Sequence, residues 1–168
     1  MAKSLLGWLL EVTNVSKKDS FPSVPLQEVP PPGPGDLYRP SVLVVDDESV
    51  IADTLTEILL RGGYAAVAAY DAETALESAL LTPPEMLVTD VVLPAMSGID
   101  LAITIKRIFP DCKIILFSGQ ASTSDLLAAA NREGHHFTLL TKPVHPADLL
   151  AHIRDSLQRQ KTRPLTPA

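Results

Sequence analysis

The chain has 168 residues, a formal net charge of −6, 46% hydrophobic residues and only 5% aromatic ones. That length suits one domain plus extensions, and the acidic balance argues against a nucleic-acid surface, which usually shows a basic patch. A lone cysteine, Cys112, excludes an intrachain disulfide framework and a cysteine-rich zinc site, no apolar run approaches the roughly 18 residues of a membrane span, and a cytoplasmic location is expected.

Residues 1–40 differ in character from the rest of the chain. Ser4 to Val12, SLLGWLLEV, is a short apolar cluster, closed by Glu11 and followed by no small-residue cleavage site, which reads against export. Seven of the fifteen prolines fall between Pro22 and Pro40, a density that blocks helix and sheet alike and predicts a disordered extension. Two readings of the apolar start stay open. It is either an amphipathic helix that docks on a partner, the domain or a membrane surface, with Trp8 as anchor, or a tail without a role.

Ser41 to Glu48, SVLVVDDE, carries four apolar residues straight into Asp46 and Asp47. A β-branched run ended by polar residues suits a strand covered on both faces, with the carboxylates at its carboxyl end, where open α/β sheets place ligand sites. Adjacent carboxylates repel unless a cation such as Mg²⁺ sits between them. The other reading is a helix start capped by Asp47.

A helical pattern comes next, with Val50, Ile51, Leu55, Ile58 and Leu59 at three- and four-residue steps until Gly62-Gly63. Tyr64 to Tyr70 is a short strand candidate. Asp71 then caps a helix whose apolar face is Ala72, Ala75, Leu76, Ala79 and Leu80, stopped by Thr82-Pro83-Pro84. Met86 to Thr89 predicts a buried strand ending on Asp90. After a loop bracketed by Pro94 and Gly98 comes a helix bearing Ile99, Ile103, Ile105 and Ile108. Lys113 to Phe117 predicts a further strand, running into Ser118. An alanine-rich helix is expected over Ser122 to Asn131, a strand over Phe137 to Leu140, and a last helix from Pro146 to Gln160. Strands and helices thus alternate five times, predicting an α/β fold with a doubly wound, five-stranded parallel sheet and five helices. The expected divisions are 1–40 extension, 41–160 domain and 161–168 tail, with no output domain.

Asp46, Asp47, Asp90, Ser118 and Lys142 all fall at or just beyond predicted strand ends, which a parallel sheet aligns along one edge. Carboxylates there can hold Mg²⁺, one carboxylate can attack a phosphoryl group, and a lysine and a hydroxyl can steady phosphoryl oxygens. The other acidic residues and histidines, among them Asp53, Glu57, Asp100, His135 and His136, read as solvated surface, and Cys112 reads as a small packing residue.

The segments VLVVDDE, MLVTDVVLPAMSG, IILFSG and LLTKP, in this order over about 120 residues, resemble response-regulator receiver domains, flavodoxin-like in fold. The resemblance implies that Asp90 is the phosphoacceptor. It implies that Asp46, Asp47, Asp90 and the Val92 backbone carbonyl hold Mg²⁺, with Asp47 a direct ligand, and that Ser118 and Lys142 form the phosphate-binding switch before a Pro143 often in a cis bond. The implied donor is a histidine kinase or histidine phosphotransfer protein in a two-component phosphorelay. With the acidic balance, a protein target rather than DNA is expected as the output, read through roughly Ser122 to Gln160.

The chain departs from the family pattern in three respects. Leu139 stands where a Tyr or Phe often rotates inward, Ser118 replaces the commoner threonine, and Val92 and Gln120 occupy the positions that tune acyl-phosphate hydrolysis. A stand-alone switch rather than a dedicated enzyme is expected. The alternatives are a phosphate-independent scaffold, which Leu139 favours, and a phosphatase-like hydrolase, which lacks a second carboxylate at Val92.

Overall fold

The computed structural model describes residues 38–119 and 124–161. Its elements alternate as the apolar periods predict: β1 (Ser41–Val45), α1 (Ser49–Arg61), β2 (Ala65–Ala69), α2 (Ala72–Leu81), β3 (Met86–Asp90), α3 (Gly98–Ile108), β4 (Lys113–Ser118), α4 (Ser124–Arg132), β5 (Thr138–Thr141) and α5 (Pro146–Lys161). The five strands form one parallel sheet in the order β2-β1-β3-β4-β5. The chain leaves β1 toward β2 and later returns to β3 on β1's other side, so the topological switch point lies between β1 and β3. Ligand crevices form at such points, and here Asp46 follows the end of β1 while Asp90 ends β3.

Strand alternation divides the core between the two faces of the sheet. Leu43, Val45, Leu87, Ile114 and Leu116 pack with Ala75 and Ala79 of α2, Leu101 and Ile105 of α3, and Leu127 and Ala130 of α4. The alternate residues Val42, Val44, Met86, Val88 and Ile115 are equally buried, as are Ile51, Leu55 and Leu59 of α1 and Leu149 and Ile153 of α5. Right-handed crossovers place α1 opposite α2, α3 and α4.

The helix starts obey local chemistry. The Asp71 side chain accepts the Thr74 N–H at 2.7 Å, and Ser97 Oγ accepts the Asp100 N–H at 3.1 Å. Asp47 does not cap α1. Glu48 occupies the cap position without a side-chain bond, and Asp46 Oδ1 instead accepts the Glu48 N–H at 3.0 Å.

Several expectations shift. Val50 and Leu80 belong by spacing to apolar helix faces, yet both are exposed, because the buried stripes are narrowed to Ile51, Ala52, Leu55 and Leu59 and to Ala72, Ala75 and Ala79. The last strand begins at Thr138 rather than Phe137. Among the described residues no helix is long and apolar enough to cross a membrane. The readings of residues 1–37, of 120–123, including Gln120, and of 162–168 lie outside the described residues.

Candidate functional site at the carboxyl edge of the sheet

Lys142 gathers the site. Its backbone N–H donates to the Ser118 carbonyl at 2.8 Å, fastening the end of β5 to the end of β4. Its Nζ then donates to Asp46 Oδ2 at 2.9 Å and to Asp90 Oδ2 at 2.6 Å. These partners lie 96 and 52 residues away in the chain and meet only because β1, β3 and β5 end along one edge. The Lys142-Pro143 peptide bond is cis, as the resemblance implies.

Each carboxylate has a second anchor. Asp90 Oδ1 accepts the Val92 N–H at 2.9 Å, so the turn after β3 grips the side chain that ends the strand. Asp46 divides its oxygens between the Glu48 N–H and the lysine. It is only 2% exposed, and burial raises its pKa above the ordinary 3.8, with the Lys142 hydrogen bond and charge offsetting part of that. Lys142 is subject to the same burial, which lowers its pKa. The hydrogen bonds and charges of Asp90 and Asp46 outweigh it, and the ammonium is held protonated above its ordinary 10.5.

Three of the five expected positions therefore meet side chain to side chain: Asp46, Asp90 and Lys142. Ser118 is buried at the end of β4 and joins them through its carbonyl. Asp47 is exposed, and Val92 presents an exposed side chain beside Asp90. Leu139, in β5 opposite Leu116, is also exposed. Among the described residues no three of His, Cys, Asp and Glu gather closely enough to hold a metal, and the Lys142 ammonium pairs with both Asp46 and Asp90. The donor set still suits a hard cation. The groups that the resemblance implies as ligands, Asp46, Asp47, Asp90 and the Val92 carbonyl, offer oxygen donors and no soft ligand.

Two contributors escaped the sequence reading. Thr89 is fully buried, and its Oγ1 donates to the Asp90 carbonyl at 3.0 Å. A polar residue ending the apolar run MLV was its only signal. Gly98 lies directly under Asp90, where a Cβ would stand 1.7 Å from the Asp90 carbonyl oxygen. A glycine opening a helix, despite its low propensity, was the available sign.

This arrangement coincides with a match of residues 42–154 to the response regulator receiver domain. The chain belongs to that family. The receiver is 28% identical over 129 residues to the DNA-binding response regulator MtrA of Mycolicibacterium smegmatis, a match covering 77% of this chain and 55% of MtrA. The chain thus spans about half the length of such curated relatives. Among solved structures, the receiver is similar to a CheY-like receiver domain protein from Methanospirillum hungatei JF-1. That pair shares 29% identity with a TM-score of 0.68, over 74% of this chain and 98% of the other. It is also similar to the signal receiver domain of an HD domain-containing protein from Pseudomonas fluorescens Pf-5. Here identity is 30% and the TM-score 0.69, over 75% of this chain and all of that one. The fold is the flavodoxin-like receiver fold, and the protein carries the receiver domain of a two-component response regulator.

Proposed function

We propose that this receiver accepts a phosphoryl group on Asp90 from a histidine kinase or histidine phosphotransfer protein and then changes its protein contacts. The observation that carries this reading is the 2.6 Å bond from Lys142 Nζ to Asp90 Oδ2, made while Asp46 holds the same ammonium. A carboxylate at a strand end is thereby poised beside a fixed positive charge. In the transfer, an Asp90 oxygen forms a bond to phosphorus as the donor's P–N bond breaks. The electron pair of that bond leaves with the imidazole, which takes up a proton.

Lys142 then meets phosphoryl oxygens in place of a carboxylate oxygen, and the Ser118 hydroxyl supplies a further hydrogen bond. Asp46, Asp47, Asp90 and the Val92 carbonyl would hold Mg²⁺, which supplies charge neutralisation when bound. The added negative charge at Asp90 biases the loops that carry Ser118 and Lys142, and the change is read by a protein partner at α4, β5 and α5. On this reading the protein is a cytoplasmic switch whose only chemistry is its own phosphorylation and dephosphorylation. MtrA is by name a DNA-binding regulator. The net charge of −6 favours a protein over DNA as the direct contact of this chain.

The test is the intact mass after incubation with acetyl phosphate and Mg²⁺, beside Asp90→Ala. Gain of one phosphoryl group that needs Mg²⁺ and disappears in the variant supports the reading. Failure of the folded wild type to gain mass or to bind beryllofluoride overturns it in favour of a phosphate-independent scaffold.

A further inference from the structure

Among the described residues β2 pairs with β1 alone and forms an edge of the sheet, at the opposite end of the strand order from β5, which Lys142 follows. The Ala65 N–H donates to the Pro40 carbonyl, and the Ala69 carbonyl accepts the Asp46 N–H, so the odd-numbered residues spend their amides on β1. Strand alternation turns the N–H and C=O groups of Ala66 and Ala68 outward. Edges of this kind are usually blunted by lysine, proline or a bulge. Here the sequence is Tyr64-Ala65-Ala66-Val67-Ala68-Ala69-Tyr70, without charge or proline, and it reads the same from either end.

We propose that β2 is a self-pairing edge, at which two copies of this chain join antiparallel about a two-fold axis through Val67. In that register Ala66 lies opposite the partner subunit's Ala68, and each donates its N–H to the other's carbonyl. The axis repeats the exchange between Ala68 and the partner subunit's Ala66. It is the one two-fold register that engages both outward-facing residues of each strand. Val67 then meets the partner subunit's Val67 as a non-hydrogen-bonded pair, the closer kind, with Cα atoms about 4.5 Å apart. The flanking Tyr64 and the partner subunit's Tyr70, each just outside its strand, come to the same end of the pairing, where the Tyr70 hydroxyl donates to Asp53 of its own α1 at 2.8 Å.

Two further features fit a second copy. The first is charge. Arg61 closes α1 at the start of β2, while Asp71 and Glu73 open α2 at its far end. Antiparallel pairing brings each Arg61 toward the partner subunit's acidic end, and its guanidinium has more donors than its single Nε bond to Glu57 uses. The second is apolar surface. Val67, Leu60 and Leu81 are exposed and line a cavity of about 410 Å³ between β2 and the end of α2. Pairing through Val67 places the partner's edge beside it. The surface is separate from the phosphoryl site, so the two proposals stand or fall independently.

The test is sedimentation velocity of the full chain across a concentration series, with Val67→Lys and Val67→Cys. Val67 is half-exposed, so neither change disturbs the core. Wild type is expected to associate reversibly to a dimer, and Val67→Lys, which opposes two ammonium groups on the axis, to weaken it roughly ten-fold or more. Val67→Cys should cross-link to a covalent dimer under mild oxidation, while Leu80→Cys, exposed on α2, should not. A wild type that stays monomeric throughout overturns the proposal. So does a dimer that Val67→Lys leaves unchanged, or equal cross-linking through Val67→Cys and Leu80→Cys.

Discussion

Gly98 and Asp90 are in backbone contact: a Cβ added to Gly98 would lie 1.7 Å from the Asp90 carbonyl oxygen and 2.8 Å from its carbonyl carbon. The first residue of α3 is therefore packed directly beneath the residue that ends β3, and the Gly98 N–H donates to the Val91 carbonyl at 2.9 Å. The obstacle is main chain, so no side-chain rotation relieves it. Gly98→Ala is expected to cost about 2–4 kcal/mol, lowering Tm by roughly 10 °C, and to slow phosphoryl uptake by moving Asp90. Gly62→Ala is the comparison, since its nearest obstacle is the flexible tip of Leu150. Equal losses in the two variants would contradict the Gly98 assignment.

Asp46 supplies a pH prediction. Its folded pKa is raised, chiefly by burial, so the folded state binds more protons than the unfolded chain from about the ordinary 3.8 up to the raised value. Stability associated with this group is full below 3.8 and is lost as pH rises through the folded pKa. Asp46→Asn keeps an acceptor for Lys142, and Asp90 still pairs with the lysine. The variant is therefore expected to be more stable than wild type at pH 7, with the gain disappearing on acidification below pH 4. Urea unfolding at several pH values measures the difference. A loss of stability at pH 7 would show that the ion pair outweighs its burial.

Cys112 governs an alkaline limb. It is 2% exposed, and burial pushes its thiol from 9.0 up to about 12. Above pH 9 the unfolded chain releases the thiol proton while the folded state keeps it, so wild type loses stability as pH climbs toward 12. Cys112→Ala removes this contribution, and its stability should fall less steeply between pH 9 and 11. Parallel slopes for the two proteins would be incompatible with a buried, protonated thiol.

Val92 sets the lifetime of the proposed phosphoaspartate. Its side chain is exposed beside Asp90 and has no group to orient an attacking water. The phosphorylated protein is expected to persist well beyond seconds, and Val92→Asn to shorten its half-life several-fold. Decay of the phosphorylated mass after removal of the donor reports it, and a wild-type half-life of seconds would refute the argument.

The element order, the parallel sheet and the strand-end position of every polar site residue were legible in the sequence. These are local matters: β-branched runs end in polar residues, apolar residues repeat at helical steps, and Asp71 caps its own helix. The family resemblance was legible too, because the acidic pair, Asp90, Ser118 and Lys142 stand in motifs of fixed order. Which of them touch depended on long-range packing. Asp46 and Asp47 stand side by side in one acidic pair, yet one is buried against Lys142 and the other exposed, because successive residues leaving a strand face opposite ways. The exposure of Val50, Leu80 and Leu139 was equally hidden, since each is apolar and correctly spaced, and burial depends on what lies across from it. Gly98 is the plainest case: its need for no side chain arises from the Asp90 carbonyl, which the turn folds back against it.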